Sequence, residues 1–160
     1  FIIPAPLLHL ILREEIVGFS LTGTTIAFSC KSGTLYAGRI ISGAYPNVQQ
    51  VIPDTTQDGY VEVTLPDTFK ASLKRALLLD NSRIDLDIKE DECEISVTAE
   101  NVSYKESVPV TASGETRVSF NTSYLAQAFE ISPTLFISPN MPSIGTAGNT
   151  TVIIMPLRVS

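Results

Sequence analysis

The feature that most constrains this chain is a pattern that occurs three times: a short strand, a helix of about three turns, then several strands. The first helix begins near Pro4, the second near Pro66 and the third after Asn121, at intervals of about 55 to 60 residues. A period of this size marks one supersecondary unit used repeatedly. Single helices set among successive short strands predict an α+β chain of three β-α-β-β-β units.

The first unit covers residues 1–53. Its helix is expected over about Ala5 to Arg13, with Leu7, Leu10 and Ile11 on one face and His9 and Arg13 opposite. Strands are expected near residues 16–21, 24–30 and 33–42. The second unit opens with Tyr60-Val61-Glu62-Val63-Thr64-Leu65, whose alternation marks a half-buried strand. Pro66 suits the first helical position, because its missing N–H would be unpaired there in any case. That helix continues to about Leu79, with Phe69, Leu73, Ala76 and Leu77 as its apolar stripe. Strands follow near 84–89, 92–99 and 103–111, separated by turn signals at Asp80-Asn81, Glu90-Asp91 and Ser113-Gly114. The third unit begins with a strand from Thr116 to Phe120. Asn121 is a helix N-cap whose side-chain oxygen can accept from an orphan amide, and Pro133 prevents the helix from continuing past about Ile131. Final strands are expected near 134–138 and 150–155.

The composition excludes several classes of function. With 44% hydrophobic and 18% charged residues, the 160-residue chain can bury a core. A formal net charge of −6 argues against a protein that holds nucleic acid by a basic footprint. Cys30 and Cys93 lie far apart in strand-like runs, too few for a disulfide scaffold and at no zinc spacing, so they read as buried thiols of a reducing cytoplasm. No apolar run reaches the ~18 residues that a membrane span needs. The apolar opening has no basic n-region and carries two prolines, which makes it a poor signal peptide. The chain starts without Met, and is expected to be a piece of something longer. A single His, no Trp and no Gly-rich phosphate loop leave no catalytic constellation. Glu90, Asp91, Glu92 and Glu94 sit at a hairpin tip, where charge keeps a turn solvated, and no metal or cofactor is expected.

Two stretches carry a more specific signal. Val152, Ile153, Ile154 and Met155 form an apolar strand that Pro156 ends, leaving Leu157 and the Arg158 cation in a short tail. The residues past Met155 are expected to finish the strand rather than fill the core. Far upstream stands Tyr45-Pro46-Asn47-Val48-Gln49-Gln50-Val51-Ile52-Pro53. The tail resembles the closing Met-Pro-Met-Arg-Leu-like sequence of the bacterial DNA polymerase sliding clamp, the β subunit. The upstream stretch is similar to that family's Phe/Tyr-Pro-(x)4-Val-(x)-Pro segment between its second and third domains. Gln50 departs from the family's usual Arg, and Val159-Ser160 from its terminal Leu.

The resemblance implies a DNA-clamp fold, with β-α-β-β-β half-domains paired so that helices lie on the inner face and antiparallel sheets outside. By that count residues 1–53 are the second half of the central domain, and 54–160 a complete C-terminal domain. It implies a processivity factor without catalytic activity. Such a factor is cytoplasmic, encircles duplex DNA as part of a homo-oligomeric ring, and tethers the polymerase catalytic subunit and the clamp loader by short peptides. The implied peptide groove comprises Pro46, Val51, Asn121, Tyr124, Ile153, Met155, Pro156, Leu157 and Arg158. Lys70, Lys74 and Arg75 on the second helix read from their positions as a solvated face, and the resemblance makes them DNA-facing. Leu78 and Leu79, surplus to the helix stripe, either cover the sheet or form part of the contact that closes the ring. The other reading is a free-standing clamp-like adaptor that binds such peptides without encircling DNA.

Overall fold

A computed structural model describes residues 1–45, 47–57 and 59–158. The chain divides into two compact units, Phe1–Asn47 and Val48–Ser160.

The smaller unit contains helix α1 (Ala5–Ile11) and an antiparallel meander of β1 (Ile16–Thr22), β2 (Thr25–Cys30) and β3 (Leu35–Arg39). Leu7 and Ile11 are one helical turn apart and pack on Ile26 and Phe28 of β2, forming a small core. Gly38 on β3 permits this approach, since a Cβ there would lie 2.8 Å from Leu7 Cδ2. Two expectations are corrected here. The helix ends at Ile11 rather than Arg13, and Leu10 is exposed instead of sharing the buried face. The apolar residues run almost continuously through this helix, so periodicity could not tell which of them face the sheet. The opening strand of the repeat is reduced to one bridge, Ile2 to Ile41.

The larger unit holds two β-α-β-β-β halves. In the first are β4 (Val61–Thr64), α2 (Asp67–Leu79), β5 (Ile84–Ile88), β6 (Glu92–Ala99) and β7 (Val102–Pro109), followed by the short β8 (Thr111–Ala112). In the second are β9 (Thr116–Phe120), α3 (Thr122–Ile131), β10 (Thr134–Ile137), β11 (Ser143–Ala147) and β12 (Thr150–Ile154). The halves exchange their opening strands. β9 joins the sheet β7-β6-β5-β9, and β4 joins the sheet β12-β11-β10-β4-β8. Strict alternation in Ile84-Asp85-Leu86-Asp87-Ile88 turns the apolar side chains inward and the carboxylates out. The two helices pack on each other, with the Phe69 and Phe129 rings 6.0 Å apart, and with sheet residues such as Ile95, Phe120 and Leu135 they build one continuous core.

Further local expectations are revised. Pro66 is the N-cap of α2 rather than its first helical residue. The strand expected over 103–111 breaks after Pro109, and Thr111–Ala112 crosses to pair with β4 in the other sheet. A proline offers no amide to extend the ladder, so the break falls there. β11 had no recognisable strand signal, because Ser143-Ile144-Gly145-Thr146-Ala147 is mostly small residues. Its place between β10 and β12 demands small residues: a Cβ on Gly145 would lie 2.6 Å from Leu135 Cδ2. Past β12 the chain does more than end a strand. Leu157 N–H donates to Ser119 O at 2.7 Å, so the tail ties one sheet to the edge strand of the other.

Candidate functional site

The tail and α3 enclose a cleft of about 510 Å³ within the larger unit. Asn121 sets one end. Its side-chain oxygen accepts the Tyr124 N–H at 3.1 Å and so fixes where α3 begins. From there Tyr124, Gln127, Ala128 and Ile131 recur at helical spacing and line one wall. Val152 to Ile154 of β12, followed by Met155, Pro156 and Leu157, line the other. Pro156 ends the ladder and the Leu157–Ser119 hydrogen bond catches the chain beyond it, which holds the tail open along the cleft. Tyr124 is 63% exposed and Met155 62%, so both anchors are presented to solvent with little supporting cover. The walls are largely apolar, with the amides of Asn121 and Gln127 as polar groups able to orient a backbone.

Six of the nine residues assigned to a groove from the sequence therefore line one cleft: Asn121, Tyr124, Ile153, Met155, Pro156 and Leu157. Val51 is exposed beyond the 3-10 turn Val48–Gln50 and does not line it. Arg158 is exposed beside the tail, and Pro46 lies outside the described residues. Gln127, Ala128 and Ile131 were not anticipated, although their spacing from Tyr124 along the helix carried the signal.

The basic residues of α2 are engaged to different degrees. Lys70 Nζ lies 2.5 Å from Glu130 Oε1 of α3. Arg75 turns toward the sheet, where it donates to both carboxylate oxygens of Glu106 on β7, at 2.6 and 2.7 Å. The pair also takes in the Tyr104 hydroxyl, which donates to Glu106. Hydrogen bonds from Arg75 and Tyr104 pull the Glu106 carboxyl down to a pKa of about 2. Arg75 is exposed, as its place on a solvated arc implies, but its guanidinium is tied to a carboxylate of the neighbouring strand. Among the described residues Lys74 makes no ion pair. Leu79 packs partly against the core, whereas Leu78 is 86% exposed.

Among the described residues the His and Cys side chains stand singly: His9 is exposed, and Cys30 and Cys93 are buried free thiols. Desolvation pushes the Cys93 thiol up to about 12, far from a reactive thiolate. Among the described residues no cluster of three or more His, Cys, Asp or Glu is placed to hold a metal ion. Among the described residues no helix is long and apolar enough to cross a membrane.

No protein-family model and no curated protein matches the chain. Solved structures do. A sliding clamp (DNA polymerase III subunit beta) from Bartonella birtlesii bound to griselimycin superposes with a TM-score of 0.75 at 23% identity, over 95% of this chain and 44% of that one. The DNA polymerase III subunit beta from Pseudomonas aeruginosa gives 0.71 at 18% identity, over 88% and 42%. The DNA polymerase sliding clamp from Caulobacter crescentus gives 0.71 at 21% identity, over 88% and 40%. The chain therefore has the fold of the bacterial sliding clamps, the DNA polymerase III beta subunits, and spans about two-fifths of the length of those proteins.

Proposed function

We propose that this chain is part of a sliding-clamp processivity factor whose α3–β12 cleft takes a short extended peptide borne by a polymerase or clamp loader. Residues 1–53 are the second half of a central domain and 54–160 a C-terminal domain. The protein acts in the cytoplasm without catalysis, as part of a homo-oligomeric ring around duplex DNA. Leu78 belongs to the contact that closes the ring, and Pro46, Val51 and Arg158 flank the peptide path. The observation that carries this reading is the convergence of α3 and the C-terminal tail on one open apolar cleft. An adaptable methionine and a rigid exposed tyrosine there suit apolar anchors such as Leu and Phe, and the two amides suit a backbone or a Gln side chain. A closed ring stays on DNA by topology, so the net charge of −6 is compatible with a DNA partner.

Calorimetric titration of the 160-residue chain with a Gln-Leu-Phe-type peptide tests the cleft. Met155→Ala and Leu157→Ala should each weaken binding. Deletion of residues 155–160 should cost about 2 kcal/mol or more, the usual loss when an interface anchor is truncated. Undiminished binding by the deleted chain would refute the assignment.

One observation favours the adaptor reading, in which the same cleft works without an encircled duplex. α3 carries no Lys or Arg, and Lys70 and Arg75 are paired with carboxylates, which leaves Lys74 as the unpaired cation of α2 among the described residues. Retention on circular DNA after loading separates the two readings. A ring subunit is retained until the circle is cut, and an adaptor is not retained at all.

A further inference from the structure

The cleft between the tail and α3 is held from behind. β9 finishes at Ser119 and Phe120, directly before the Asn121 cap of α3. Ser119 is the residue to which the tail is tied, through the Leu157 N–H on its carbonyl. Opposite it on β5 stands Asp85. Because the Ser119 carbonyl is turned away to Leu157, this pair exchanges no ladder hydrogen bonds, and such pairs bring their side chains closest together. At Ser119 itself the tie to β5 is therefore the hydroxyl. It donates to Asp85 Oδ1 and accepts from Arg83 Nη2 at 3.3 Å. Arg83 Nε and Nη2 each lie 2.9 Å from the same carboxylate oxygen. Ser119 is only 3% exposed, although it alternates with the core residues Val118 and Phe120.

Arg83 ends the turn between α2 and β5, and the same turn reaches the other wall of the cleft. Asp80 shapes it by accepting the Ser82 N–H at 2.8 Å and the Ser82 hydroxyl at 2.7 Å. Asn81 O then accepts the Ser123 hydroxyl at 3.1 Å and the Ser123 N–H at 3.4 Å, in the first turn of α3. One short turn thus grips the start of the helix that carries Tyr124 and the strand residue that carries the tail. A second pair on the same sheet face, Arg117 with Asp87, sits two residues farther from the tail along β9.

We propose that Arg83 is a positioning residue for the cleft. By holding the Asp85 carboxylate and the Ser119 hydroxyl together, it fixes where the tail wall stands relative to α3. Arg83 does not line the cleft and acts through Ser119. The ligand in this inference rests on the peptide reading above, while the tether itself does not. Without Arg83 the Leu157 hydrogen bond opens more often, and a peptide must then order Met155 and Leu157 as it binds. The Arg83–Asp85 pair is half-exposed, so it contributes little to overall stability. Its loss is read at the tail and not in the global unfolding transition.

Amide hydrogen exchange by NMR and calorimetric titration with a Gln-Leu-Phe-type peptide, both on the full 160-residue chain, are the test. Arg83→Gln should speed exchange of the Leu157 N–H and weaken the peptide, each by about three- to tenfold, the effect of one lost hydrogen bond. The urea midpoint and the exchange of the β5–β6 ladder should stay as in the wild type. Ser119→Ala, which keeps the carbonyl and removes the hydroxyl, should act in the same way as Arg83→Gln. Arg117→Gln removes the same charge from the same face and should change neither readout. Failure of the wild-type chain to bind would refute the cleft reading on which the affinity arm rests, and exchange at Leu157 would then decide the tether. Unchanged Leu157 exchange in Arg83→Gln would overturn the proposal. So would unchanged affinity against a wild type that binds, or an equal effect of Arg117→Gln.

Discussion

Glu106 shows how a side chain's surroundings set its chemistry. Its position on β7 brings it opposite Arg75 on α2, and hydrogen bonds from Arg75 and Tyr104 lower its pKa from 4.5 to about 2. A carboxylate whose folded pKa is depressed contributes stability that is fully present above its unfolded value. That contribution is lost as pH falls through the folded value, so here the window lies between about 4.5 and about 2. Both side chains are partly exposed, so the effect on stability is modest and the titration itself is the better readout. Carbon-detected NMR of the Glu106 carboxyl should give a midpoint near 2 in the native chain and a rise toward 4.5 in Arg75→Gln. An unchanged midpoint in the variant would show that Arg75 is not the cause. The sequence identified Arg75 as one of three basic residues on one helix. Its partner could not be read there, since the pairing spans more than 30 positions and depends on the register of α2 against β7.

At the scale of elements, the C-terminal tail does two jobs with one geometry. Pro156 ends β12, and the Leu157 N–H then donates to Ser119 on β9, the free edge of the other sheet. The tail therefore lines the cleft and also joins the two sheets. Deleting residues 155–160 removes that hydrogen bond and the partial burial of Pro156 and Leu157, so unfolding free energy should drop by about 1–2 kcal/mol. Urea denaturation measures it, and a loss below a few tenths would show that the bridge contributes nothing to stability. The elements easiest to foresee were those with strong periodicity, such as β5, α2 and α3. β11 escaped because its composition answers to its neighbours: Gly145 is needed for the close approach of Leu135 and Ser132, and glycine is a poor strand former by itself. The split between β7 and β8 was marked by Pro109, but only the second sheet gives the residues after it somewhere to pair.

At the scale of the molecule, Val48–Ser160 owns the principal core, and both of its helices are covered by its own sheets. It should fold without Phe1–Asn47 and melt in one cooperative transition, with near- and far-UV circular dichroism following the same curve. Non-coincident curves would show that its core depends on the smaller unit. That two like halves follow one another was legible in the chain, because helix period, strand alternation, capping and proline placement are local properties that repeat with the unit. Asn121, Tyr124, Ile153, Met155, Pro156 and Leu157 could be singled out only through the family resemblance that the tail and the Tyr45–Pro53 stretch carry. What only the tertiary structure decided was how these pieces meet: the exchange of β4 and β9 between halves, the turn of Arg75 toward Glu106, and the closure of one cleft by α3 and a tail more than 20 residues downstream. Such contacts join residues distant in sequence through packing and edge pairing, and no local pattern encodes them.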